Sequence, residues 1–445
     1  MHIDGPSLDT EHNNMNNQHT LFPAEFPVKT ATGCVLKWAW STIYLGQGKT
    51  ASCHRVDQHA IDPNNVANFH NQPEKILARE QMLAGQWPGK GCEYCRKIED
   101  AGGMSDRMYQ LQDNRNSELI PQALLDNPTA TTVVPTVLEI YFNNTCNMSC
   151  AYCSPFFSSK WEEENRRFGE YQHGKLNFGW IPEVNPNYEQ MLADFWQYLE
   201  TDRNYLHIRQ YQIAGGEPFF QKEFDASIDF WQSHPNPDLT FNMITNLKVP
   251  PVKFRAYIDR FGDMVREGSL RKLQISSSLD CWGPEQEYVR WGLDLAEWQE
   301  NFEYLLDKPW VQQCINSAVS ALTIKTLPDL ITRVNGWNQQ IQGFKQIYYS
   351  FMSIMYPKQL DPAIFGAGVF DDDFAQVDQL MKQSPINTSA QRSARLHMQG
   401  IAQQIAQAPR DLEWIDNLQH YLTELDRRRG TDWRGLFPWL DQQFM

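Results

Sequence analysis

Three cysteines share the stretch Cys146-Asn147-Met148-Ser149-Cys150-Ala151-Tyr152-Cys153, a C-x3-C-x2-C loop. Thiolates grouped in this way do one of two things. With one further ligand they complete the tetrahedron of a structural zinc ion. Around an iron–sulfur cluster, three thiolates leave one iron without a protein ligand, whereas four close the cluster into an electron carrier. An iron left open can bind a substrate, so the count of three implies chemistry at the metal.

The elements that position this loop are legible from apolar patterning. Short apolar runs at 137–142, 208–213, 239–245, 272–279, 314–322 and 346–352 read as six strands. Between them Tyr188, Met191, Leu192, Phe195, Trp196 and Leu199 keep helical spacing, as do Leu295, Trp298, Phe302 and Leu305. Alternation of this kind predicts parallel βαβ units. The cysteine loop follows the first strand. A second motif, Ala214-Gly215-Gly216-Glu217-Pro218, follows the second, where glycines let backbone approach a ligand without a Cβ in the way. An ordinary β-turn would explain a lone Gly-Gly.

In this order and spacing the two motifs resemble the signatures of the radical S-adenosylmethionine (radical SAM) superfamily. The resemblance implies an α/β fold, a partial (β/α)6 barrel whose site lies at the carboxyl ends of the strands, as in the eight-fold barrel. It implies a 4Fe–4S cluster on Cys146, Cys150 and Cys153, with S-adenosylmethionine chelated to the open iron. Gly215, Gly216, Glu217 and Pro218 would hold the cofactor's methionine amino group, and Tyr152 would sit near its adenine. Thr245, Asn246, Ser276, Ser278, Asp280 and Arg290 fall at strand ends where related enzymes direct polar groups at the ribose and carboxylate; singly, each also suits a turn or cap. The implied reaction is one-electron cleavage of the sulfonium, giving methionine and a 5'-deoxyadenosyl radical that abstracts a substrate hydrogen. The cofactor supplies that step, and the protein orients and seals it.

Four more cysteines, Cys34, Cys53, Cys92 and Cys95, lie before the strands. They look like the auxiliary-cluster half of twitch and SPASM domains, which implies a second, fully ligated 4Fe–4S cluster; a zinc ribbon is the competing reading. In the family this domain usually follows the barrel, and here it precedes it. His54 is an alternative ligand beside Cys53. Cys281, next to Asp280, is placed near the barrel mouth, where a thiol could return a hydrogen atom to a substrate radical; buried free cysteines more often act as small hydrophobes. Cys314 is expected to start the fifth strand, at the opposite end.

The 445 residues carry a formal net charge of −15, which argues against a broad grip on nucleic acid. The basic run Arg427-Arg428-Arg429 reads as a solvated helix end. There is no apolar run of membrane-spanning length and no secretory start, so a cytoplasmic protein is expected, its cysteines reduced or metal-bound. The expected domains are a flexible tail at 1–20, a twitch/SPASM-like domain at 21–125, the barrel at 130–360 and a helical segment at 361–445. The implied function is modification of a peptide or protein by crosslinking, epimerisation or oxidation, with an external one-electron reductant of flavodoxin or ferredoxin type. A radical SAM enzyme of small metabolites and a non-catalytic iron–sulfur electron carrier are the alternatives.

Overall fold

The computed structural model describes residues 26–445 except 54, 90, 101, 103, 104, 113, 175, 179–182, 342–344 and 445. The amino-terminal tail 1–20 and His54 therefore lie outside the described residues. The chain divides into two compact units, Met1–Ser41 with Thr50–Val137, and Thr42–Lys49 with Leu138–Met445. In chain order the strands are β1 (Trp40–Tyr44), β2 (Lys49–Ala51), β3 (His59–Ala60), β4 (Val137–Tyr141), β5 (Tyr171–His173), β6 (Leu176–Phe178), β7 (Gln210–Ile213), β8 (Thr240–Thr245), β9 (Lys272–Ser278), β10 (Val311–Val319) and β11 (Ile347–Ser353).

The first unit is built mainly of short helices, Pro73–Leu83, Cys92–Asp100, Asp106–Gln112 and Gln122–Asp126. Their apolar faces close on Phe26, Trp38, Met82 and Leu124, with Cys34 and Cys92 in the same core. A buried polar knot ties the ends together. Arg79 donates to the carbonyls of Lys37, His70 and Thr131, and Lys75 to Ser41, Thr50 and the Ala51 carbonyl. Residues 109–135, polar enough to read as a linker, are part of this unit, whose boundary falls at Val137.

In the second unit β7 to β11 pair in parallel in the order of the chain, and β4 lies beside β7, where Ala214 N donates to the Ile140 carbonyl. Helices join successive strands, so this is the α/β arrangement of a six-fold open barrel. One face of the sheet is apolar and packs under helices: Tyr211 meets Trp231, and Phe241 meets Phe224 and Phe261. The edge strand β11 is covered by the helix Ser389–Gln407, whose Gln391 donates to the Ile347 carbonyl. The carboxyl-terminal helices thus belong to the barrel unit and form no separate body. One strand is displaced from its expected place: β10 begins at Val311, three residues early, because Gln312 and Gln313 hide its start from an apolar pattern.

Candidate active site and metal-ligand clusters

The cysteine loop is held from three directions. Its exit is a helix start: Ser158 caps Ser159–Phe168 by accepting from Trp161 N, and its hydroxyl donates to the Met148 carbonyl. Trp161 Nε1 donates to the Cys150 carbonyl at 2.7 Å, and Ser159 Oγ bonds both the amide and the carbonyl of Cys146. From the segment after β9, the carbonyls of Val289 and Trp291 accept Ala151 N and Ser149 N. From the carboxyl-terminal helix Leu412–Arg429, Tyr421 donates its hydroxyl to the Ala151 carbonyl. The basic run there is a correction to its reading as solvated. The Arg428 and Arg429 side chains are each 2% exposed; Arg428 donates to Asn165, and Arg429 pairs with Glu164 and lies 4.9 Å over the Trp161 ring.

The Gly-Gly-Glu-Pro turn docks on this loop through backbone. Gly216 N donates to the Phe157 carbonyl at 3.1 Å and Glu217 N to the Thr145 carbonyl at 2.8 Å, one residue before Cys146. Both glycines have positive φ, +75° and +58°; a Cβ at Gly215 would lie 2.4 Å from Tyr141 and one at Gly216 2.4 Å from the Thr145 oxygen. Pro218 is buried and begins a short turn. The Glu217 carboxylate, fully buried, accepts from Thr245 Oγ1 and from Asn246 N, each at 2.7 Å. Burial outweighs those hydrogen bonds and pushes its pKa up to about 7. Asn246 Nδ2 also donates to Asn147 inside the loop.

Asp280 and Arg290 are brought together. They form a buried bidentate pair at 2.8 and 2.9 Å, and Asp280 also accepts from Tyr152 Oη and Ala318 N. The free guanidinium nitrogen, Nη1, faces the Cys150 sulfur at 3.9 Å. Tyr152 is thereby tied to Asp280. Cys281 is fully buried, and its thiol faces Gln286 Oε1 at 3.4 Å. Cys314 is half-buried in mid-strand, in register with Ser276, and burial raises its pKa to about 12.

Ser276, Ser278 and Cys314 lie on the face of the sheet turned away from the helices, and a belt that sequence reasoning missed crosses that face below them. Glu139, Gln212, Asn242, Gln274 and Gln312 stand in register from β4 to β10. Gln212 joins Glu139 to Asn242 at 2.8 Å on each side, and Thr42 caps Glu139. The Asn242 Oδ1 is buried without a partner. Parallel strands covered on both faces are usually apolar throughout. Polar residues at every second position were the available signal.

In the first unit Cys34, Cys53, Cys92 and Cys95 line one cavity with Lys37, Arg55, Trp87 and Arg107. Burial first, then the neighbouring Cys53, raises the Cys34 thiol to about 12; Lys37 and Arg107 act in the opposite direction. Burial likewise raises Cys146 to about 12, with Cys150 and Glu217 adding to it, while Arg290 opposes the rise at Cys150. Both sets are thus groups of mutually opposed, buried or half-buried thiols beside fixed cations, a setting that a positively charged metal centre relieves. Among the described residues, no three sulfurs of either set lie within 4.8 Å of one another.

No family model matches the chain, and no curated protein matches it. Solved structures similar to it include two of one protein. Streptococcus suis SuiB bound to precursor peptide SuiA has a TM-score of 0.37 and 12% identity, over 79% of this chain and 70% of that one. Streptococcus suis SuiB bound to S-adenosylmethionine has the same score and identity, over 78% and 69%. Among the described residues, no helix is long and apolar enough to cross a membrane.

Proposed function

We propose that this chain is a radical SAM enzyme that modifies a peptide or protein, with a substrate-facing cluster on Cys146, Cys150 and Cys153 and a fully ligated auxiliary cluster on Cys34, Cys53, Cys92 and Cys95. The observation that carries the reading is the docking of the Gly-Gly-Glu-Pro turn on the cysteine loop through Glu217 N and Gly216 N. Two motifs separated by some sixty residues meet where a cofactor held by one would reach a metal held by the other. When bound, the cluster and S-adenosylmethionine supply the electron and the carbon radical.

The chain's own residues bind and orient. Glu217, desolvated and already fixed by Thr245 and Asn246, offers its remaining lone pairs to a cation such as an amino group. Arg290, held by Asp280, directs a charged N–H at Cys150 and favours electron density on that sulfur. The amide belt and the hydroxyls of Ser276 and Ser278 offer uncharged hydrogen-bonding partners of the kind a peptide backbone needs. The two SuiB structures hold a precursor peptide and S-adenosylmethionine respectively, and the peptide reading follows that pairing only as a proposal.

The test is anaerobic reconstitution, reduction, addition of S-adenosylmethionine, and quantification of 5'-deoxyadenosine for the native chain beside Cys153→Ala. Product from the native chain alone supports the radical reading. Absence from both, with iron and sulfide present at the three-cysteine site and no binding of S-adenosylmethionine, refutes it. Peptides and small metabolites are then compared as enhancers of turnover.

A further inference from the structure

His173, Asp416 and His420 form a group of side chains with ligating atoms all within 4.8 Å of one another. His173 ends β5; Asp416 and His420 sit one turn apart on the helix Leu412–Arg429. His173 Nε2 is 3.0 Å from Asp416 Oδ2, and the two imidazoles stack with centroids 3.8 Å apart and planes 18° apart. All three side chains are partly exposed, so an ion can reach them from solvent.

Two imidazoles and one carboxylate are a ligand set for a divalent transition metal, whereas calcium and magnesium take oxygen ligands. His420 Nδ1 lies 2.9 Å from the Asp416 carbonyl. The same Nδ1 lies 3.5 Å from the Asp416 carboxylate. With bonds of about 2.0–2.1 Å, closure onto a zinc-sized ion asks the ligand atoms to approach to about 3.3 Å, within the reach of exposed side-chain rotation.

We propose that His173, Asp416 and His420 bind one divalent ion of the zinc class, with water in the remaining position. The ion would bolt the β5–β6 hairpin to the helix that braces the cysteine loop. Beside it, Tyr171 donates to the Asn417 carbonyl and its ring meets Tyr421, whose hydroxyl holds the Ala151 carbonyl. The site is independent of the radical reading.

The experiment is equilibrium dialysis of the full chain, with its cysteine-bound metal in place, against micromolar Zn²⁺, zinc and iron being counted together. The native chain is expected to take up one zinc more than a His173→Gln/His420→Gln double variant, at equal iron. Asp416→Asn, which keeps the shape, is expected to bind at least ~10-fold more weakly. A Zn²⁺-dependent rise in melting temperature should accompany uptake in the native chain and be absent from His420→Gln. Equal zinc uptake by the native chain and the folded double variant overturns the proposal.

Discussion

Asp280 and Arg290 separate two readings of the site, because a strut and a cofactor ligand fail differently when cut. Their side chains are 0% and 9% exposed, and the pair shares two hydrogen bonds. Removing one partner of such a pair leaves a buried charge and costs about 3–5 kcal/mol, while removing both leaves none and costs much less. Arg290→Met would strand Asp280 with only Tyr152 Oη and Ala318 N; Asp280→Asn would strand the guanidinium beside Cys150. The strut reading therefore expects amide exchange in β9 to accelerate by about 10²- to 5 × 10³-fold in either single variant, and by far less than the product in the double variant. Hydrogen exchange by mass spectrometry on metal-free protein measures this without any cofactor. If β9 protection stays within tenfold of native in Arg290→Met while affinity of the loaded enzyme for S-adenosylmethionine collapses, the strut reading is wrong and Arg290 is a ligand.

Burial sets a pH signature at Glu217. Its pKa in the folded chain, about 7, lies above the ordinary value of 4.5, so its stabilising share is complete below pH 4.5 and lost as pH rises through 7, a change of about 3 kcal/mol. Denaturation of the metal-free chain from pH 5 to 8 should show that slope, and Glu217→Gln should lack it. Gly216→Ala should fail to hold the cysteine loop, since its Cβ would meet the Thr145 carbonyl at 2.4 Å; loss of iron at the three-cysteine site with the four-cysteine site retained is the readout. Tyr421→Phe leaves the Ala151 carbonyl without its donor and should cost about 1 kcal/mol, seen as faster cluster loss on dilution. Cys92→Ala should remove roughly half of the iron while S-adenosylmethionine binding persists.

The strands and motifs were legible because their signals are local. Six apolar runs became β4 and β7 to β11, and Met191, Phe195 and Leu199 became the buried stripe of the helix Tyr188–Glu200. What the chain order hides are contacts made across long separations. Arg429 reads as one of three exposed arginines until helix Leu412–Arg429 lays it on Glu164, 265 residues away. Cys314 departs from its expected environment for a similar reason. A three-residue shift in where β10 starts moves Cys314 from a strand end to mid-sheet, and the turn after Asp280 aims Cys281 at Gln286.

The polar face of the sheet bears on what this site can accept. A closed barrel fills its interior with layers of branched apolar side chains. Here the corresponding layer is Glu139, Gln212, Asn242, Gln274 and Gln312, and the next outward position on β9 and β10 is Ser276 and Cys314. Glu139 accepts from Thr42 and Gln212, both uncharged donors, and is the one carboxylate in a layer otherwise made of amides. An anionic small metabolite would find no counter-ion in that layer, whereas an amide would find donors and acceptors in sequence. Replacing Asn242 by Leu puts that difference to use. If the site takes a peptide backbone, breaking the belt at Asn242, whose Nδ2 donates to Gln212 Oε1, should raise KM with little change in kcat. An unchanged KM for every peptide that enhances turnover would remove the belt from substrate binding.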